Sequence, residues 1–201
     1  MDRLIAGYRR FRGRNWPERR AIFEGLADNG QAPRTMVVAC SDSRVDPTMI
    51  FDAEPGELFI LRNVANLIPP YEPDKFFHAT SAALEFAVRV LEVKDLIVMG
   101  HAMCGGIKVL LSGAPEPAGD FLVPWMRIAE PAKVRALARN PDDMATACEQ
   151  EAIKLSLEHL MTFPWIAERV QAGRLRLIGT SFDIRSGVLT MLGPDGEFAP
   201  V

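Results

Sequence analysis

The sequence predicts an α/β fold: a mainly parallel β-sheet of four to five strands flanked by helices, with an N-terminal helical arm. Three observations carry this. Short apolar, β-branched runs recur along the chain. Stretches with helical periodicity fill the intervals between them. Turn residues close each run, the pattern of alternating strands and helices that builds a parallel sheet. The 201 residues suit a single domain spanning 1–201, with 1–30 as the arm. Hydrophobic residues make up 48% and charged residues 24%, which excludes wholesale disorder. A net charge of −3 argues against a globally basic nucleic-acid binder. No apolar run approaches the roughly 20 residues that span a bilayer, so no membrane partner is expected. The N-terminus shows no apolar signal core. Three cysteines make no disulfide framework, so the expected compartment is the reducing cytoplasm, with thiols free for metal or redox work.

The arm is rich in arginine: Arg3, Arg9, Arg10, Arg12, Arg14, Arg19 and Arg20. A transit peptide would share that composition, but Leu4, Ile5, Tyr8 and Phe11 recur at helical spacing, and the helical reading is preferred. An arm with large apolar residues wants a surface, and here a partner subunit is expected to supply it. Residues 35–40 (TMVVAC) read as a buried strand. Asp46-Pro47 starts a helix, with Pro at its first position. Pro55-Gly56 makes a turn before a second strand over 57–62. Prolines 69, 70 and 73 mark a loop, and helical periodicity runs over 76–91. Residues 95–100 (DLIVMG) form a third strand. A loop is expected at 115–120. Helices follow over 121–138 and 143–163, divided near Asn140-Pro141, and a shorter one begins at Pro164. Strands over 175–178 and 188–192 close the sheet, the last at an edge.

Cys40 closes the first strand; His101 and Cys104 follow the third. In open α/β sheets, sites form beyond the carboxyl ends of strands. Two thiolates and an imidazole supply three of the four ligands of a tetrahedral zinc site. A fourth protein ligand would make the site structural; an open position would make it catalytic. H-x-x-C alone is weak, since buried cysteines are common small hydrophobes. C-x-D-x-R after one buried strand and H-x-x-C-G-G after another is a specific combination.

Cys40-Ser-Asp42-Ser-Arg44 with Gly100-His101-Ala-Met-Cys104-Gly-Gly resembles the β-class carbonic anhydrases. Segments 54–59, 62–66, 83–86 and 157–165 also resemble the family. The resemblance implies one Zn2+ per chain, held by Cys40, His101 and Cys104. It implies reversible hydration of CO2 to bicarbonate and a proton, by attack of zinc-bound hydroxide. Asp42 and Arg44 would be the catalytic pair, the guanidinium holding the carboxylate. The carboxylate then accepts a hydrogen bond that aims the nucleophile. Part of the family has an inactive state in which this Asp occupies the fourth zinc position. Resemblance to the plant-type branch assigns substrate binding to Gln31, Phe59 and Phe86, with the Gly105 N–H facing an anion. Phe86 stands where that branch often has Tyr. There the Gln and the aromatic wall come from a neighbouring subunit, so a homodimer or dimer of dimers is expected.

One branch binds inhibitory bicarbonate in a non-catalytic pocket of Trp, Arg and Tyr. Those positions are Val37, Arg62 and Phe182 here, so no such switch is expected. Cys148 reads as a packing residue, and Trp125 and Trp165 as core or interface anchors. His78 and His159 are weak candidates for carrying protons to solvent. Other readings share or reuse these residues: a carbonyl sulfide or carbon disulfide hydrolase with the same zinc site, a non-catalytic zinc protein, and a thiol redox protein. The presence of Asp42 and Arg44 argues against the non-catalytic zinc protein, and the lack of a C-x-x-C pair against the thiol redox protein.

Overall fold

β-Branched and apolar runs that are buried on both faces pair most readily in parallel, through helical crossovers. The structure, a computed structural model, describes residues 1–74, 76–116 and 118–201. The strands are β1 (Thr35–Cys40), β2 (Leu58–Asn63), β3 (Asp95–His101), β4 (Arg176–Phe182), β5 (Leu189–Leu192) and β6 (Phe198–Pro200). They lie in the order β2-β1-β3-β4-β5-β6. The first four are parallel, while β5 and β6 add antiparallel at one edge. The sheet thus has six strands rather than four to five. The extra one is a three-residue Phe-Ala-Pro edge too short to show alternation. Cys40 and His101 end two adjacent parallel strands, which brings them to the same rim.

The arm consists of α1 (Asp2–Arg10), a wider turn over Phe11–Asn15, and α2 (Trp16–Asn29). None of its residues is buried, and Leu4 and Tyr8 stand in solvent. It touches the body where Arg19 forks onto Glu54 at 2.7 and 3.0 Å. The remaining helices are α3 (Pro47–Ile50), α4 (Ala79–Glu85), α5 (Gly105–Ser112), α6 (Leu122–Met126), α7 (Glu130–Arg139), α8 (Met144–Leu160) and α9 (Pro164–Gln171).

Two helices differ from expectation for local reasons. The helix expected from residue 76 begins at Ala79. Asp74 accepts the Phe76 N–H at 2.7 Å and meets the His78 ring at 2.6 Å, so these side-chain contacts occupy the residues just ahead of it. The run expected over 121–138 is broken at Arg127–Ala129. Pro131 has no N–H to give the Arg127 carbonyl, so α7 restarts with Pro in its first turn. Within the loop expected at 115–120, Pro117 lies outside the described residues.

Apolar side chains pack on both faces of the sheet. Met36, Val38, Leu96 and Val98 meet Leu84, Val88, Ile153, Leu160 and Phe163. A second cluster joins Cys40 and Cys104 to Val45, Leu67, Ile107, Met126 and Cys148, directly under the strand ends. No helix is long and apolar enough to cross a membrane among the described residues.

Candidate metal centre and active site

β1 delivers Cys40, and β3 delivers His101. The turn after β3 returns Cys104 to the same rim as the residue capping α5. Met103 takes a left-handed backbone (φ 58°), the reversal that swings Cys104 back. All three residues are buried, and their ligand atoms lie within 4.8 Å of one another. The two sulfurs are 4.0 Å apart. Tetrahedral zinc with bonds of about 2.3 Å sets its sulfurs about 3.8 Å apart, close to this spacing. His101 Nδ1 donates to the Ala102 carbonyl at 2.9 Å, so Nε2 carries the lone pair. Nε2 is buried without a hydrogen-bond partner, and a lone pair so placed suits a cation. The hydrogen bond between the thiols pulls Cys40 far below the ordinary thiol value and pushes Cys104 up. One thiolate forms readily and the second resists, unless a dication between them neutralises both. Donor set, spacing and the orphaned nitrogen all fit Zn2+.

The Asp42–Arg44 pair stands at this rim. Arg44 Nε and Nη2 hold the two carboxylate oxygens at 2.9 and 2.7 Å, and the Arg44 backbone N–H adds a third bond at 3.0 Å. The Arg44 side chain keeps the Asp42 carboxyl well below the usual carboxylate range. Arg44 also donates to the Met103 carbonyl at 3.1 Å, joining the dyad to the turn that carries Cys104.

Sequence reasoning missed one residue of this network. Glu149, on α8, is buried and accepts the Cys104 N–H at 2.9 Å. It also missed what Arg62 does. From β2, Arg62 Nε donates to the Cys40 carbonyl at 2.8 Å, and Nη2 donates to the carbonyls of Asp42 and Val45 at 2.6 and 3.2 Å. No residue spacing signals either role, because both depend on which elements the fold sets side by side.

The expected pocket residues do not gather at the chain's own cysteines. Phe59 pairs with Met36, whereas Cys40 pairs with Asn63. Four residues at about 3.3 Å each put Phe59 roughly 13 Å down the sheet. Phe86 stacks on Phe59 with ring centroids 5.7 Å apart. Gln31 is exposed and precedes β1, at the end opposite Cys40. Gly105 alone follows directly on a residue of the cluster, Cys104. An open, mostly apolar cleft of about 720 Å³ is lined by Asn63, Val64, Phe121, Leu122 and Trp125, and reaches the rim through Asn63, the strand neighbour of Cys40. Trp125 is tied to it by a 2.8 Å bond from its indole N–H to the Val64 carbonyl.

Val37 is buried in mid-strand, and Phe182 pairs with His101 across β3–β4. His78 is engaged with Asp74, and His159 Nδ1 donates to the Ile68 carbonyl at 2.7 Å. Cys148 is fully buried, and burial pushes its thiol up to about 11. Trp165 packs edge-on against Phe163.

Known proteins share this fold. A family profile described as carbonic anhydrase matches residues 35–189. Beta carbonic anhydrase 3 of Arabidopsis thaliana is 35% identical over 207 residues, covering 100% of this chain and 80% of that protein. The solved structure of the β-carbonic anhydrase CcaA is 34% identical with a TM-score of 0.93, covering 100% of this chain and 92% of that one. A structure from Sordaria macrospora, described as a tetrameric β-carbonic anhydrase, is 28% identical with a TM-score of 0.84, covering 96% of each chain. The chain belongs to the carbonic anhydrase family, among relatives of the β class.

Proposed function

We propose that this enzyme catalyses the reversible hydration of CO2 to bicarbonate and a proton with one Zn2+ per chain. The observation that carries the reading is a buried two-thiol, one-imidazole cluster beside an ionised, arginine-held carboxylate. Cys40, His101 and Cys104 would hold the ion, whose chemistry is to acidify a bound water towards neutral pH. Asp42 stays an acceptor because Arg44 favours its charged form. It accepts a hydrogen bond from the attacking oxygen and so directs the lone pair at the CO2 carbon. The apolar cleft beside Asn63 and Val64 suits a substrate without a net dipole. The Gly105 N–H, at the start of α5, is placed to favour the anionic product.

In this reading Gln31, Phe59 and Phe86 complete the pocket of another subunit, in a homodimer or a dimer of dimers. Their position at the sheet end opposite Cys40 supports that assignment. The exposed apolar residues of the arm are what a partner would cover. We place the enzyme in the cytoplasm, where its three free cysteines stay reduced. No non-catalytic bicarbonate switch is expected, given Val37 and Phe182.

The test is stopped-flow CO2 hydration across pH 6.5 to 9, on protein assayed for zinc. Zinc-dependent hydration rising smoothly with pH is the expected result. A protein with one zinc per chain that leaves CO2 untouched but hydrolyses carbonyl sulfide or carbon disulfide would overturn the substrate assignment. A steep collapse below about pH 8 would overturn the absence of a switch.

A further inference from the structure

The loop between β1 and α3 carries Asp42. Val45 N–H bonds the Asp42 carbonyl at 3.2 Å, a long contact for an amide. A single guanidinium from the neighbouring strand reaches three carbonyls of residues 40–45. Arg62 spans the carbonyls of Cys40, Asp42 and Val45, and its Nη1 reaches Asp46 Oδ2 at 3.4 Å. We propose that Arg62 is a positioning residue: it fixes the backbone of the 40–45 loop so that Asp42 is presented to Arg44 and to the reacting atoms. The proposal rests on the CO2 hydration reading given above.

Two arginines then divide the work. Arg44 holds the Asp42 carboxylate, while Arg62 holds the Asp42 main chain. The Arg62 side chain is 28% exposed against 47% for Arg44, so the backbone clamp is the drier of the two. Guanidinium has five N–H donors in a planar fork. Four are spent on the loop and Asp46, which leaves little to offer an exogenous anion. The fork is also why lysine is a poor substitute: one ammonium cannot span three carbonyls fixed on a curved loop. Because β2 pairs with β1 through the Cys40–Asn63 register, the clamp is anchored on the strand beside the ligand it steadies.

The experiment uses zinc-loaded full-length protein, with Arg62→Met as the main variant. Rates are read per bound zinc, and kcat/KM for CO2 hydration is expected to fall roughly 10- to 100-fold. The Asp42→Asn/Arg62→Met double variant should be no slower than Asp42→Asn alone, because Arg62 acts through Asp42. Hydrogen exchange of the 41–46 amides should accelerate, with β1 and β3 unchanged. Arg62→Lys should show a smaller loss with the same non-additivity, and it carries the test if Arg62→Met does not fold. Fully additive losses, unchanged loop exchange, or wild-type kcat/KM would each overturn the proposal. So would unfolding or zinc loss in both variants, which would assign Arg62 to the fold rather than to Asp42. A wild-type protein that does not hydrate CO2 would sink the functional reading alone, since the exchange measurement needs no turnover.

Discussion

The buried Glu149 carboxylate accepts the backbone N–H of Cys104 at 2.9 Å, so α8 holds the turn that carries Cys104. Burial pushes the Glu149 carboxyl up, and the bond from Cys104 opposes that shift. Removing the acceptor leaves a buried N–H unpaired, at a cost of about 1–3 kcal/mol. Glu149→Leu should therefore weaken zinc retention roughly 10- to 100-fold, the range for lost partners of a metal ligand. Glu149→Gln keeps an acceptor oxygen and should stay near wild type. Competition with a zinc-chelating dye measures both. Equal retention in Glu149→Leu and wild type would show that the bond orients nothing.

Gln31 lies at the opposite end of β1 from Cys40, which makes its contribution testable by mixing subunits. Gln31→Ala and Asp42→Asn should each be impaired alone. If Gln31 serves the partner's site, a mixed dimer has one site with both defects and one intact. Random co-assembly of the two should then restore about a quarter of wild-type sites. No recovery, in dimers shown to be mixed, would place Gln31 outside the neighbouring site.

The cluster of Cys40, His101 and Cys104 was legible because its signal is local. Cys40 and His101 end runs whose apolar, β-branched character marks buried strands, and β1 was read with its observed bounds. Asp42 and Arg44 are two residues apart, so their contact needs no long-range packing. Glu149 and Cys104 are 45 residues apart, and an acidic residue on a helix ordinarily reads as solvated. Arg62 was visible as a residue but not as a clamp, because its partners are carbonyls, which every residue has. The short edge strand β6 and the delayed start of α4 were lost for local reasons. The first is three residues long, and the second depends on Asp74 folding back on Phe76.

At Gly100, next to His101, β3 packs closely on Ile153 of α8. A Cβ there would lie 2.6 Å from Ile153 Cδ1 and 2.8 Å from Cγ1. Ile153 is fully buried and cannot turn aside freely. Gly100→Ala should destabilise by about 1–3 kcal/mol, the usual cost of overpacking a filled core. Because His101 is the next residue, bound zinc should fall as well. Ile153→Val removes the nearer atom and should recover part of the loss in the double variant. Thermal denaturation with zinc analysis reads both effects. A Gly100→Ala protein as stable and as fully loaded as wild type would refute the close approach.

Asp143 caps α8, the helix that carries both Glu149 and Ile153. Its carboxylate accepts the Thr146 N–H at 3.1 Å and the Thr146 hydroxyl at 2.8 Å. The Thr146 N–H, then its hydroxyl, holds the Asp143 carboxyl below its ordinary value. A group with a depressed folded value contributes stability that is fully present above its unfolded value. That contribution is lost as pH falls through the folded one. Asp143→Ala should therefore cost about 1 kcal/mol at pH 7. The gap to wild type should narrow as pH falls below about 4, the ordinary carboxylate value. Asp143→Asn keeps an acceptor without a titrating charge, so its difference from Asp143→Ala should not change with pH. Zinc loss in acid would affect all three proteins alike and drop out of the differences between them. Urea midpoints at neutral and acid pH decide the matter: an Asp143→Ala deficit that grows in acid would reverse the sign and overturn the cap.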